Sequence, residues 1–227
     1  MKLAWFLLFL MTSSAAAQIA GTTPRPLVRA TGEGSVSITP DQARIHVSAV
    51  TQASTAQDAA SQNASTTANI LSQLTQTLGG SGTVQTVGYS VSPNYNYPQG
   101  SPAVLTGYTV TNSLEAILND LTITGKIIDA ATQAGATRID SLQFTLKDDS
   151  AARAQALRAA TQKAKSKADA MAASLGLKLG TVIVIQESGA VVTPLTTAMG
   201  ASTAATPIQL GQLNITGNVT IEMELIP

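Results

Sequence analysis

From Gln212 to Ile226 apolar and polar side chains alternate, with Gly217 the one gap. Leu213, Ile215, Val219, Ile221, Met223 and Leu225 share one side; Asn214, Thr216, Asn218, Thr220, Glu222 and Glu224 share the other. A period of two belongs to a strand with one dry face and one wet face. The dry face of such a strand needs a cover, so the chain must form a sheet and supply something to lie on it.

Three segments have the helical period that can provide this cover. The first runs from Ser54, read as its cap, to Leu78, closes at Gly79-Gly80, and carries Ala56, Ala60, Thr67, Leu71, Leu74 and Leu78 as its stripe. The second opens at Asp120 or Thr122, carries Ile123, Ile127, Ala131 and Ala134, and ends at Gly135. The third opens at Asp148-Asp149-Ser150 and runs to Leu175, with acids at its start to suit the macrodipole. Its stripe is Leu157, Ala160, Ala164, Ala168, Met171 and Leu175.

Between the helices lie further strands. Leu27 to Thr39 is read as one strand, bent or bulged at Gly32 and Gly34, and it turns at Pro40-Asp41 into Ala43 to Val50 as a hairpin. Thr83 to Ser92 and Thr106 to Leu118 flank a polar loop, Pro93 to Pro102. Arg138 to Leu146 is a strand with Leu142, Phe144 and Leu146 aligned. The unbroken apolar run Thr181 to Ile185 predicts a central strand covered on both faces. Ser188 to Gly211 has no clear period and reads as a long mobile loop. The order β-β-α-β-β-α-β-α-β-β predicts an α+β fold, a mostly antiparallel sheet or sheets with about three helices packed on one face. Three helices interrupting the strands argue against a membrane barrel, which needs an outward apolar band on successive strands.

The N-terminus reads as a secretory signal. Met1-Lys2 supplies charge, Leu3 to Met11 an apolar core, and Ala15-Ala16-Ala17 a small-residue site, so cleavage is expected after Ala17. The expected layout is a signal peptide at 1–17, a flexible N-terminal segment at 18–27, and one α+β domain at 28–227 whose 188–211 is the mobile loop. The chain has no cysteine, which excludes disulfides, thiolate metal sites and attachment of lipid at a cysteine. Zero formal net charge gives no overall steering toward nucleic acid or acidic membranes.

No residue set for catalysis, a cofactor or a metal emerges. His46 is the only histidine and sits on the polar side of its strand, with no helical His pair for a metal and no triad. Gly32 and Gly34 open no helix, so they do not make a dinucleotide fingerprint. Asp148-Asp149 reads as a helix cap before an acid pair. The basic residues Arg153, Arg158, Lys163, Lys165 and Lys167 spread around the solvated arc of the third helix. The sequons at Asn63, Asn214 and Asn218 are read as chance matches.

The order of motifs resembles the SIMPL-domain family, the YggE-like periplasmic proteins. The pieces are Val28 to Gly34 (VRATGEG), Pro40 to Ala43 (PDQA), Tyr89 to Tyr95 (YSVSPNY) and Gly107 to Asn112 (GYTVTN). Ile127 to Ala130 with Gly135-Ala136, then Phe144 with Asp148, continue the series. The Ala- and Lys-rich helix Ala159 to Met171 and Leu179 to Glu187 (LGTVIVIQE) complete it. The resemblance implies an exported α+β protein, without catalytic residues to carry over. It also implies links to stress tolerance, homo-oligomers and, in animal relatives, binding to a signalling kinase.

The reading is therefore a non-enzymatic exported envelope protein, periplasmic or associated with the outer membrane, that binds or assembles. The alternatives are a chaperone-like stress-protective protein and a carboxylate-dependent periplasmic hydrolase. One surface stands out. From Ala59 to Leu114 there is no Asp, Glu, Lys or Arg, and all four tyrosines lie there. Interface cores lose charge and gain tyrosine. Tyr89, Tyr95, Tyr97 and Tyr108, with Gln62 and Asn69 on the first helix, are the candidate self-association residues, and the expected partner is a second copy of the chain or another envelope protein.

Overall fold

The computed structural model describes residues 25–195 and 206–227. The expected signal peptide, and residues 18–24 of the segment after it, lie outside the described residues.

Eleven elements follow in order: β1 (Leu27–Ile38), β2 (Gln42–Ala53), α1 (Ala56–Leu78), β3 (Gly82–Asn96), β4 (Val104–Leu118), a 3-10 turn (Leu121–Ile123), α2 (Thr124–Gln133), β5 (Arg138–Thr145), α3 (Ser150–Ser174), β6 (Lys178–Leu195) and β7 (Gln212–Ile226). The strands form two antiparallel sheets, β1-β7-β6 and β3-β4-β2-β5. The α+β class and the order of elements are as the sequence predicts.

Each sheet has its own core. In the four-stranded sheet, Ala43, Ile45, Val47 and Ala49 of β2 and Leu114, Ala116 and Leu118 of β4 meet Ile70, Leu74 and Leu78 of α1 and Ile127 and Ala131 of α2. In the three-stranded sheet, Val28 and Ala30 of β1 and Val219, Ile221 and Met223 of β7 meet the alanines of α3. Among the described residues, no helix is long and apolar enough to cross a membrane.

Several expectations are corrected. β1 and β2 do not form a hairpin: β1 pairs with β7 and β2 with β4 and β5, so the Pro40-Asp41 turn carries the chain from one sheet to the other. Nor is β1 bulged at its glycines, because its register with β7 is continuous from Leu27 to Ile38. Gly32 and Gly34 serve α3 instead. Their missing Cβ atoms lie where the backbones of Ala160, Ala164 and Ala156 run, so the helix rests directly on the strand. Close approach favours small residues on the helix, and the buried stripe is accordingly Ala152, Ala156, Ala160, Ala164, Ala168 and Ala172. The expected Met171 and Leu175 are exposed, because a four-residue repeat of alanines, not the larger side chains, sets the contact line.

The run Thr181–Ile185 is not a covered central strand. β6 is the edge of its sheet and β7 is the centre. β6 also continues through Ser188 to Leu195, paired with β7, so the expected loop is strand in its first part; 196–205 lie outside the described residues. Thr206 then anchors the returning chain to α2, donating from Oγ1 to Asp129 Oδ1 at 2.7 Å. At the N-terminal side, Leu27 is already in β1, Pro26 O accepts from Leu225 N, and Arg25 pairs with Glu224, so 25–27 are tied to the sheet. The cap of α1 is Thr55 rather than Ser54: its side chain accepts from Asp58 N.

A candidate self-association surface

The hairpin β3–β4 is longer than the helix that covers it. α1 begins at Ala56, and its buried Asn63 donates to the carbonyls of Ala49 and Val110 at 2.9 and 3.2 Å. Beyond Val110 the hairpin runs on past the start of the helix. β3 continues to Asn96 and β4 begins at Val104, so the first four residues of the expected polar loop, Pro93 to Asn96, are paired strand, with Tyr95 opposite Leu105. The extension is braced across the strands: Thr106 Oγ1 donates to Asn94 O at 3.0 Å, and Asn94 Nδ2 to Thr109 Oγ1 at 2.8 Å.

Past the start of α1 and along the free edge of β3, large side chains stay in water. Tyr89 is 56% exposed, Tyr95 49% and Tyr97 75%, while Tyr108 is half-buried. Val87 and Val91 on β3 and Val104 and Leu105 on β4 are exposed beside them. The Tyr95 and Tyr97 rings are 6.4 Å apart and tilted by 49°. The structure thus gathers the four tyrosines on one hairpin. It separates Asn69 from them. Asn69 lines a polar groove of about 450 Å³ between α1 and α2, with Ser72, Gln73, Gln133 and Ala134. Gln62, seven residues earlier and also exposed, is two turns along the same side of the helix. Periodicity alone could not tell which flank of α1 would meet α2 and which would border β3.

Sequence reasoning missed a polar cluster on the open face of the four-stranded sheet. Glu115 is nearly buried there. Arg44 Nη1 donates to its Oε1 at 3.3 Å, Gln85 Nε2 to its Oε2 at 2.8 Å, and His46 Nε2 lies 3.4 Å from Oε1. Burial pushes the carboxyl pKa up, but the hydrogen bonds from Gln85 and Arg44 and the charges of Arg44 and His46 outweigh it and hold the group below its usual range. Nearby, Ser48 Oγ bonds Asp140 Oδ2 and lies 3.0 Å from Ser113 Oγ. The alternation of β2 put Arg44 and His46 on one face, but the register that brings Glu115 opposite His46 is long-range.

The carboxylates considered for hydrolysis are occupied at the start of α3. Asp148 Oδ1 accepts from Ser150 N at 2.9 Å, and Asp149 Oδ2 holds Arg153 Nε at 2.7 Å. The side-chain and backbone hydrogen bonds from Ser150 keep Asp148 below its usual pKa, so it holds no proton to donate near neutrality. Among the described residues no three His, Asp or Glu side chains stand close enough to hold a metal ion.

A family model, described as SIMPL, protein of unknown function (DUF541), matches residues 28–223. The chain belongs to the SIMPL family. Similar curated proteins are the 26 kDa periplasmic immunogenic proteins of Brucella melitensis and Brucella abortus, each 29% identical over 217 residues, covering 89% of this chain and 87% of the relative. The SIMPL match runs from β1 into β7 and so takes in both sheets. Two of the motifs that carried the resemblance now have physical roles. VRATGEG is the strand on which α3 rests, and YSVSPNY is the exposed edge of the tyrosine hairpin.

Proposed function

We propose that this SIMPL protein is an exported, periplasmic envelope protein that acts by binding and self-assembly, without catalysis, in support of stress tolerance. The tip and free edge of the β3–β4 hairpin, within the charge-free stretch that ends at Leu114, are its association surface. The observation that carries this reading is the exposure of three tyrosines and four aliphatic side chains along the free edge and tip of one braced hairpin that α1 covers only in part. Single exposed apolar residues are ordinary, but a contiguous patch of several hundred Å² marks an interaction site. The names of the Brucella relatives and the signal-like N-terminus support the periplasmic compartment.

Light scattering and sedimentation of the purified mature protein test assembly. The wild type is expected to exceed the mass of one chain, and Tyr95→Asp with Tyr97→Asp to shift it to smaller species. A wild type that stays monomeric at high micromolar concentration ends the reading. Mass spectrometry of the exported protein is expected to find an N-terminus at or near Gln18, and an intact Met1 would remove the export step.

A further inference from the structure

The charge-free stretch from Ala59 to Leu114 reaches further than the tyrosine hairpin. It also takes in most of α1, whose side next to α2 lies away from the tyrosines. A helix face in water normally shows Lys and Glu. α1 exposes Gln62, Asn69, Ser72, Gln73 and Gln76 instead. Asn69, Ser72 and Gln73 make one wall of the polar groove of about 450 Å³, and Gln133 and Ala134 at the end of α2 make the other. The walls are fixed. Ile70 and Leu74 of α1 share a core with Ile127 and Ala131 of α2. Gly135, at a φ of 100°, comes so close to α1 that a Cβ there would lie 3.2 Å from Thr66 Cγ2.

The hydrogen-bonding capacity of this groove is unspent. Around it, hydroxyls bond back onto their own helices: Thr66 Oγ1 donates to Gln62 O at 3.0 Å, Thr77 Oγ1 to Gln73 O at 2.8 Å and Thr132 Oγ1 to Ile128 O at 2.9 Å. The side chains of Asn69, Ser72, Gln73 and Gln133 make no hydrogen bond to any described residue. Each amide sets an acceptor oxygen beside an N–H donor, and the Ser72 hydroxyl does both. No lining residue is charged, so an ionic ligand would lose hydration without a counter-charge. Ala134 is the one apolar lining residue, so an apolar ligand would gain little. The lining suits a neutral molecule that carries donors and acceptors side by side. Neighbouring hydroxyls on a sugar ring are such a pair, because one amide can accept from the first and donate to the second. The groove also has the size of a small-molecule site, which runs from about 300 to 1,000 Å³.

We propose that the groove between α1 and α2 binds an uncharged sugar of one or two rings. The site is separate from the hairpin and does not depend on self-association. No aromatic ring lines it for a sugar to stack on, so affinity rests on hydrogen bonds, each largely offset by the water it displaces. The expected Kd is accordingly weak, on the order of 1–10 mM.

Saturation-transfer NMR, which observes the ligand, tests it on the purified mature protein. The probes are maltose and the N-acetylglucosamine disaccharide, with glucuronate as the charged comparison. A neutral probe is expected to give a saturable signal and glucuronate none. Asn69→Leu with Gln73→Leu, on α1, and Gln133→Leu, on α2, keep the size of the side chains and remove their hydrogen bonds. Each is expected to weaken binding by about tenfold. Gln155→Leu, at an exposed position of α3, is the control and is expected to bind like the wild type. All three positions are exposed, and matching circular-dichroism melts check that the variants fold. A preference for the acetamido probe assigns the groove to a glycan chain and a preference for maltose to a free sugar; either upholds the site. The proposal is overturned if neither neutral probe binds, if glucuronate binds as well as they do, or if the α1 and α2 variants bind like the wild type. Tyr95→Asp with Tyr97→Asp is expected to leave sugar binding unchanged, so loss of the self-association reading does not remove this one.

Discussion

Replacing Gly32 with Ala adds one methyl group at the place where α3 meets β1. The methyl would overlap Ala160 O and Ala164 N and lie 3.0 Å from Ala164 Cα, and every one of these is a backbone atom that no rotamer change can move. The helix must therefore retreat as a body, by roughly 1 Å to restore ordinary contact, and a gap of that size forfeits up to about half of the dispersion energy along the face. Six alanines between 0 and 5% exposed make that face, so the loss is spread over the whole of α3. Overpacking usually costs about 1–3 kcal/mol; with only backbone to yield, Gly32→Ala should reach the upper end, about 3 kcal/mol, or a fall in Tm of about 6–12 °C. Gly88→Ala is the control. Its methyl would meet Ser113 Cβ at 3.7 Å, an ordinary contact, so it should leave stability unchanged or raise it by about 0.5–1 kcal/mol. Urea and thermal unfolding followed by circular dichroism compare the two. Equal melting of the two variants would refute close packing as the reason for Gly32.

Asn63→Ala should cost about 2–3 kcal/mol, because it strips two hydrogen bonds from the carbonyls of Ala49 and Val110 inside the core and leaves them dry; chemical denaturation measures it, and a loss below about 0.5 kcal/mol would mean that water takes the place of the amide. Glu115 makes stability depend on pH. Its folded pKa lies below the ordinary 4.5, so its contribution is complete above that value and is lost as the pH falls through the folded value. Glu115→Gln should therefore flatten the acid side of the stability curve, and acid titrations of the two proteins that run parallel below pH 5 would contradict the network.

The sequence by itself determined the elements. Period-two alternation in 212–226 and helical stripes ended by glycines are local consequences of backbone geometry, and they place strands and helices before any contact is known. The charge-free stretch and its tyrosines are also plain in the sequence. Only the tertiary structure decided which strands pair. Thr181–Ile185 is as apolar as a central strand, yet β7 takes the centre and β6 the edge, because position in a sheet depends on partners far away in the chain. Gly32 and Gly34 could equally have marked a bend, a bulge or a close approach; the choice fell to α3, some 125 residues later, whose backbone at Ala156, Ala160 and Ala164 occupies the space a side chain would need. Tyr95 reads as a loop residue in the sequence but is paired in β3, whereas Tyr97 stays in the loop at the tip of the hairpin that outruns α1. Their exposure is set by where a helix in another part of the sequence begins, and that is a fact of packing with no local signal.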